Sequence, residues 1–193
     1  MDRRDFCQRS AFVATGALAG CAHPGVRIRV WRSSRPGRRS AWPRGRVGAC
    51  LGLGGRNIPI DKALNPVYGY TLGLDMTRRV LQRAMGDQKK PWEIGKSFDR
   101  STPIGAVHKV AQIGHFSKGA IWLKVDGQLK QNANLNQMIL SVAEQISKLS
   151  EAFEQFPGDI ICSGTPENVG PVVAGDVIEM HIACLPNLSI KIV

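Results

Sequence analysis

No run of about 18 apolar residues occurs in the 193-residue sequence, which excludes an ordinary membrane-spanning helix. Cysteine is sparse and without pattern. Cys7, Cys21, Cys50, Cys162 and Cys184 are an odd five with no Cys-x-x-Cys and no metal-type spacing, so they read as scattered thiols. The four histidines include no pair at ligand spacing; His108 and His115 would share a helical face, but Gly114 argues against a helix there. Lysine is absent from the first 60 residues, where the only acids are Asp2 and Asp5.

What is present is the composition of an ordinary globular protein, 43% apolar and 21% charged. A chain of this length makes one good-sized domain that buries roughly 70% of its unfolded surface. The formal charge of +11 is concentrated: residues 1–60 carry twelve arginines and a net +10, whereas residues 61–193 carry a net +1. A nucleic-acid-binding fold would spread its charge over a folded face. The basic segment lacks a regular basic-aromatic pattern, so no specific nucleic-acid partner is expected.

Three segments follow one another. Residues 1–24 have an export-signal layout: Arg3 and Arg4, an apolar stretch from Ala11 to Gly20, then Cys21. The Arg-Arg-Asp-Phe start resembles a twin-arginine signal, and Leu18-Ala19-Gly20-Cys21 resembles a lipoprotein box. A genuine signal implies export with lipid anchoring at Cys21; an accidental basic-apolar start implies cytoplasmic residence. Residues 25–53 mix arginine with Gly, Pro, Ser and Trp without a helical or strand period. They read as a basic linker, or as text from a frameshift or fusion, and are expected to stay largely unpacked.

From residue 54 onward the sequence is orderly. Residues 67–74 read as a buried strand, delivering Asp75 just before Arg78 and Arg79, and residues 78–85 as a short helix. Residues 120–125 and 128–132 alternate around Asp126-Gly127, a strong hairpin signal. Ser141 and Glu144 form a capping box for a helix whose apolar stripe is expected at Val142, Ile146, Leu149 and Phe153. Strands are expected at 160–162, 177–183 and 188–193. Many strands, few helices and glycine-rich corners predict a β-rich α+β domain, a partly closed roll.

Four stretches in order carry a resemblance: GGRNIPIDKALNPVYGYTLGLDMTRRVLQ, KPWEIGKSFDRSTPIG, IWLKVDGQLKQ and PGDIICSGTPENVGPVVAGDVIE. Together, over residues 54–193, they resemble the fumarylacetoacetate hydrolase family, nearest its acylpyruvate hydrolases. The resemblance implies a mixed β-roll, here incomplete at its N-terminus, and a homodimer. It also implies a divalent metal (Mg²⁺, or Mn²⁺ or Ca²⁺) and hydrolysis of a carbon–carbon bond in a 2,4-dioxo acid. Residue by residue, Asp75 matches a metal ligand, since a hard cation takes oxygen ligands. Lys96 matches the lysine that offsets developing negative charge. Arg79 and Gln82 match substrate-facing positions, and Thr165 matches a threonine that holds a carboxylate. On the residues alone, Asp75 also fits a helix N-cap, Lys96 a surface lysine and Thr165 a turn. Val80 departs from the family, where a second acid is common.

Two family features are missing. Relatives precede the Gly-Gly-Arg-Asn-Ile-Pro block with a strand of the form H-x-E-x-E-L-x-x-x-L-G, whose glutamates are the other metal ligands. Residues 45–54 contain no acid. The N-Y-x-x-H-x-x-E motif that supplies a water-activating His–Glu pair is absent as well, and His23 has the wrong neighbours. Impaired hydrolysis, or a non-catalytic remnant of the domain, is therefore expected.

Overall fold

The computed structural model describes residues 28–30 and 41–193. The signal-like residues 1–24, Cys21 included, lie outside the described residues. Nine strands form two sheets. The first contains β1 (Ile28–Val30), β5 (Ala120–Val125), β6 (Gln128–Asn134), β8 (Val177–Ile182) and β9 (Leu188–Ile192) in the order β1-β9-β8-β5-β6. β1 runs parallel to β9 and the other pairs are antiparallel. The second sheet is antiparallel, with β4 (His108–Lys109), β3 (Val67–Leu74), β2 (Gly45–Leu51) and β7 (Ile160–Cys162) side by side in that order. Helices α1 (Arg79–Asp87), α2 (Val110–Ile113) and α3 (Val142–Ala152) lie in the connections. This is the mixed, β-rich α+β roll that the strand pattern predicts.

β2 corrects one expectation. Residues 45–51 fall within the segment read as unpacked, yet they form a central strand paired with β3 on one side and β7 on the other. Its alternation is real: Val47, Ala49 and Leu51 are buried in the core, while Arg46, Gly48 and Cys50 take the other face. The arginines and glycines on that second face hide the period. Ala41 and Trp42 extend the ordered backbone upstream, bridging to Val172 and Thr77.

One core joins the two sheets. Val47, Leu72, Leu74 and Met76 meet Leu123, Ile178, Met180 and Ile190, all buried. The β5–β6 hairpin turns at Asp126 (φ 49°) and Gly127 (φ 76°), the left-handed pair that its sequence prescribes. α3 opens with the expected capping box of Ser141 and Glu144. Its buried stripe, however, is Val142, Ile146 and Ser150, whereas Leu149 is 39% and Phe153 48% exposed. The helix lies against the 3₁₀ turn Ile60–Lys62 and the Asn57–Ile58 backbone, and Ser150 faces inward because its hydroxyl accepts from Ile58 N–H at 2.8 Å. A polar residue thereby takes the place that an apolar stripe would assign to its neighbours.

Candidate active site

The backbone first brings the charged residues together. Arg44 and Asp75 exchange both main-chain hydrogen bonds, at 3.0 and 3.1 Å, just where β2 and β3 enter their ladder. Arg46 lies opposite Gly73, so its side chain crosses a residue without one and reaches Asp75. Arg46 donates to Asp75 Oδ2 from Nε at 3.1 Å and from Nη2 at 2.6 Å, and its Nη1 donates to the Ser163 carbonyl. Lys96 comes from the other side, at the end of the 3₁₀ turn Glu93–Gly95. Its Nζ donates to Asp75 Oδ1 and, at 2.9 Å, to Thr77 Oγ1. Both carboxylate oxygens of Asp75 are thus engaged by cations. Asp75 does not cap α1, whose N-cap is Arg78 with no side-chain cap bond.

The other expected residues surround this knot. Arg79 donates to Gln82 Oε1 at 2.8 Å and lies over the Trp42 ring, 5.8 Å from its centroid. Arg78 turns the other way, onto Phe98. A Cβ on Gly95 would come within 2.7 Å of Gln82 Cβ, so only glycine allows the Lys96 turn to approach α1 so closely. Thr165 accepts from Gln131 Nε2 at 3.3 Å. The same amide donates to the carbonyls of Pro166 and Glu167, and Gln131 Oε1 accepts from Gly45 N–H at 3.1 Å. Gln131 is 1% exposed and fixes the Thr165 loop to the start of β2. It stands within the quoted IWLKVDGQLKQ stretch but has no sequence signal of its own as an organiser. His115 pairs with Tyr70 Oη at 2.8 Å, beyond the short α2 that Gly114 ends, so His108 and His115 share no helical face.

The charge balance sets the protonation states. Burial pushes the Asp75 carboxyl up, but the hydrogen bond from Lys96 and the charges of Arg46 and Lys96 outweigh it and hold it below the ordinary value. A lone ion pair would raise the pKa of the Lys96 ammonium. Burial, reinforced by the charges of Arg44 and Arg46, instead lowers it despite Asp75. Arg79 is lowered by burial and by the charges of Arg44 and Arg83, against the pull of Asp75. These are the marks of a site rich in positive charge.

That balance decides whether a divalent metal fits. Mg²⁺ requires several oxygen ligands, with carboxylates among them. Among the described residues no group of three or more His, Cys, Asp or Glu side chains comes together. Counted back from Leu51-Gly52, the two glutamate places of the family strand fall on Arg44 and Arg46. The strand is therefore folded and in register, but its ligand positions carry the opposite charge. These side chains do not fit a divalent cation. The arginine pair, two residues apart before a strand, is the signal by which the sequence could have disclosed the inversion.

The chain is 38% identical over 142 residues to fumarylpyruvate hydrolase of Ralstonia sp, covering 74% of this chain and 73% of that protein. To the mitochondrial oxaloacetate decarboxylase of Dictyostelium discoideum it is 39% identical over 139 residues, 72% of this chain and 64% of the relative. Its fold superposes with a TM-score of 0.81 on the crystal structure of fumarylpyruvate hydrolase from Pseudomonas aeruginosa in complex with Mn²⁺ and pyruvate. That protein is 43% identical, and the match covers 86% of this chain and 71% of the other. The family model for the fumarylacetoacetate (FAA) hydrolase C-terminal region matches residues 21–193, so β2 lies inside the matched region. The chain belongs to the fumarylacetoacetate hydrolase family, and it places Arg46 and Lys96 on the one carboxylate, Asp75, that its sequence offers as a metal ligand.

Proposed function

We propose that the chain is an acylpyruvate hydrolase-type protein whose metal-dependent cleavage of 2,4-dioxo acids is impaired. The single observation behind this reading is the double ion pair at Asp75, whose two oxygens accept from Arg46 and Lys96. A ligand carboxylate that is already neutralised by two cations has little left for Mg²⁺, Mn²⁺ or Ca²⁺, and the neighbouring Arg44 repels the ion further. The remaining parts suit an acid substrate. Lys96 is a cation near the place where enolate charge would develop. Arg79, held by Gln82 and Trp42, presents a guanidinium, and Thr165 offers a hydroxyl on a loop fixed by Gln131.

Without the His–Glu pair there is no general base to deprotonate water, a loss of about 10²–10⁴-fold in rate. Loss of the metal's electrostatic assistance adds to it. Turnover of fumarylpyruvate with Mg²⁺ or Mn²⁺ is therefore expected at least about 10⁴-fold below that of the Ralstonia relative. Metal-dependent turnover near the relative's rate, abolished by Asp75→Ala, would sink the reading. The names of the relatives include both a hydrolase and a decarboxylase, so pyruvate release and carbon dioxide release are measured side by side. A homodimer is part of the same proposal, and exposed Ile139, Leu140 and Leu149 around α3 offer apolar surface for it. Size-exclusion chromatography with light scattering that finds a monomer at micromolar concentration would refute the dimer.

A further inference from the structure

Four cations gather around one carboxylate: Arg44, Arg46, Arg79 and Lys96 around Asp75. Arg46 and Lys96 are paired with it. Arg44 and Arg79 make no ion pair among the described residues, yet each lies near enough to the others to act on their protonation. The Arg44 Nε–H is buried and has no hydrogen-bond partner, although its residue is only partly buried. An unpartnered buried donor on a charged group is costly, and so is a cluster of like charges held partly out of water.

The arrangement is also well supported from behind. Arg44 is tied to Asp75 through its backbone, Arg79 is braced by Gln82 and Trp42, and Lys96 is fixed by Thr77. Rigid guanidinium forks with spare donors are what planar carboxylates bind, through paired charge-assisted hydrogen bonds. With Asp75 subtracted, the cluster carries a surplus of three positive charges, which favours a dianion over a monoanion. We propose that Arg44, Arg79 and Lys96, set around the Arg46–Asp75 pair, bind a small dicarboxylate directly, without a divalent cation. The inference shares its site with the reading above, but it concerns binding and requires no turnover.

Isothermal titration of the full chain with oxalate, in EDTA and again in Mg²⁺, tests it. One site per chain is expected, with the same Kd in both buffers and weaker binding as salt rises. Arg44→Gln and Arg79→Gln should each weaken oxalate by at least about 10-fold, the scale of one charged hydrogen bond. Arg44→Lys should recover part of the loss. Because the Arg44 Nε–H lacks a partner and Arg79 bonds only its own helix, the variants should melt within about 2 °C of the parent. No binding, binding that needs Mg²⁺, equal binding by the variants, or tighter binding of inorganic phosphate than of oxalate would each overturn the inference. The outcomes are separable from those of the turnover assay. Failure to bind oxalate leaves impaired hydrolysis standing, and metal-dependent turnover refutes impairment whatever the oxalate isotherm shows.

Discussion

Removing the Asp75 carboxylate should destabilise the protein, and the sign of that effect separates two kinds of site. In a cluster of metal-ligating carboxylates, deleting one relieves repulsion and stabilises the metal-free protein. In the present site Asp75→Ala leaves Arg46 and Lys96 facing each other without their shared anion. Breaking a fully buried pair costs about 3–5 kcal/mol, and an exposed one about 0–1 kcal/mol. Here the side chains of Arg46, Asp75 and Lys96 are 16%, 17% and 26% exposed, an intermediate case. Each cation keeps one other partner, the Ser163 carbonyl for Arg46 and Thr77 Oγ1 for Lys96. We therefore expect about 2 kcal/mol, which for a chain of this size lowers Tm by about 4–8 °C. Thermal and urea melts of Asp75→Ala, Arg46→Met and the double variant measure it. The double variant should lose less than the sum of the singles, because removing both charges leaves neither one stranded. A Tm that is unchanged or raised in Asp75→Ala would refute the reasoning.

Three further outcomes follow from the same geometry. The Asp75 pKa lies below its ordinary 3.8, so its contribution is fully present above that value and is lost as pH falls through the depressed one. The acid limb of stability should accordingly be flatter in Asp75→Ala than in the parent when Tm is followed below pH 4. Gln131→Leu keeps the shape but strands Gly45 N–H and the loop carbonyls, and should cost about 3 kcal/mol in urea melts while loosening the Thr165 loop to proteolysis. Among the described cysteines, Cys184 is exposed, whereas burial and the neighbouring Cys162 raise the Cys50 thiol to about 11. Peptide mass spectrometry after iodoacetamide at pH 8 should find Cys184 labelled first and Cys50 only on unfolding; early Cys50 labelling would contradict its burial.

Where local chemistry dictates local structure, the sequence was legible. Asp126-Gly127 can hardly avoid a tight hairpin, and the strand runs at 67–74, 120–125 and 160–162 sit where their alternation places them. The α3 stripe was misplaced by one turn because a hydrogen bond across 92 residues, from Ile58 N–H to Ser150 Oγ, overrides apolar periodicity. β2 was missed for a compositional reason: arginine and glycine on its outer face mask Val47, Ala49 and Leu51 on its inner one. Asp75, Lys96, Arg79 and Gln82 were readable as neighbours from the family pattern. Arg46 was not, since its meeting with Asp75 depends on the β2–β3 register, which pairs it with Gly73.

The central claim is that the Asp75 site has exchanged a metal for cationic side chains. Mn²⁺ titration followed by electron paramagnetic resonance tests it most directly, because the six-line signal of free Mn²⁺ fades when the ion is bound. The account predicts no site tighter than about 1 mM, the weak end of oxygen-ligand affinities, and the same titration curve for the parent and Asp75→Ala. One tight Mn²⁺ per chain, lost in Asp75→Ala, would contradict it.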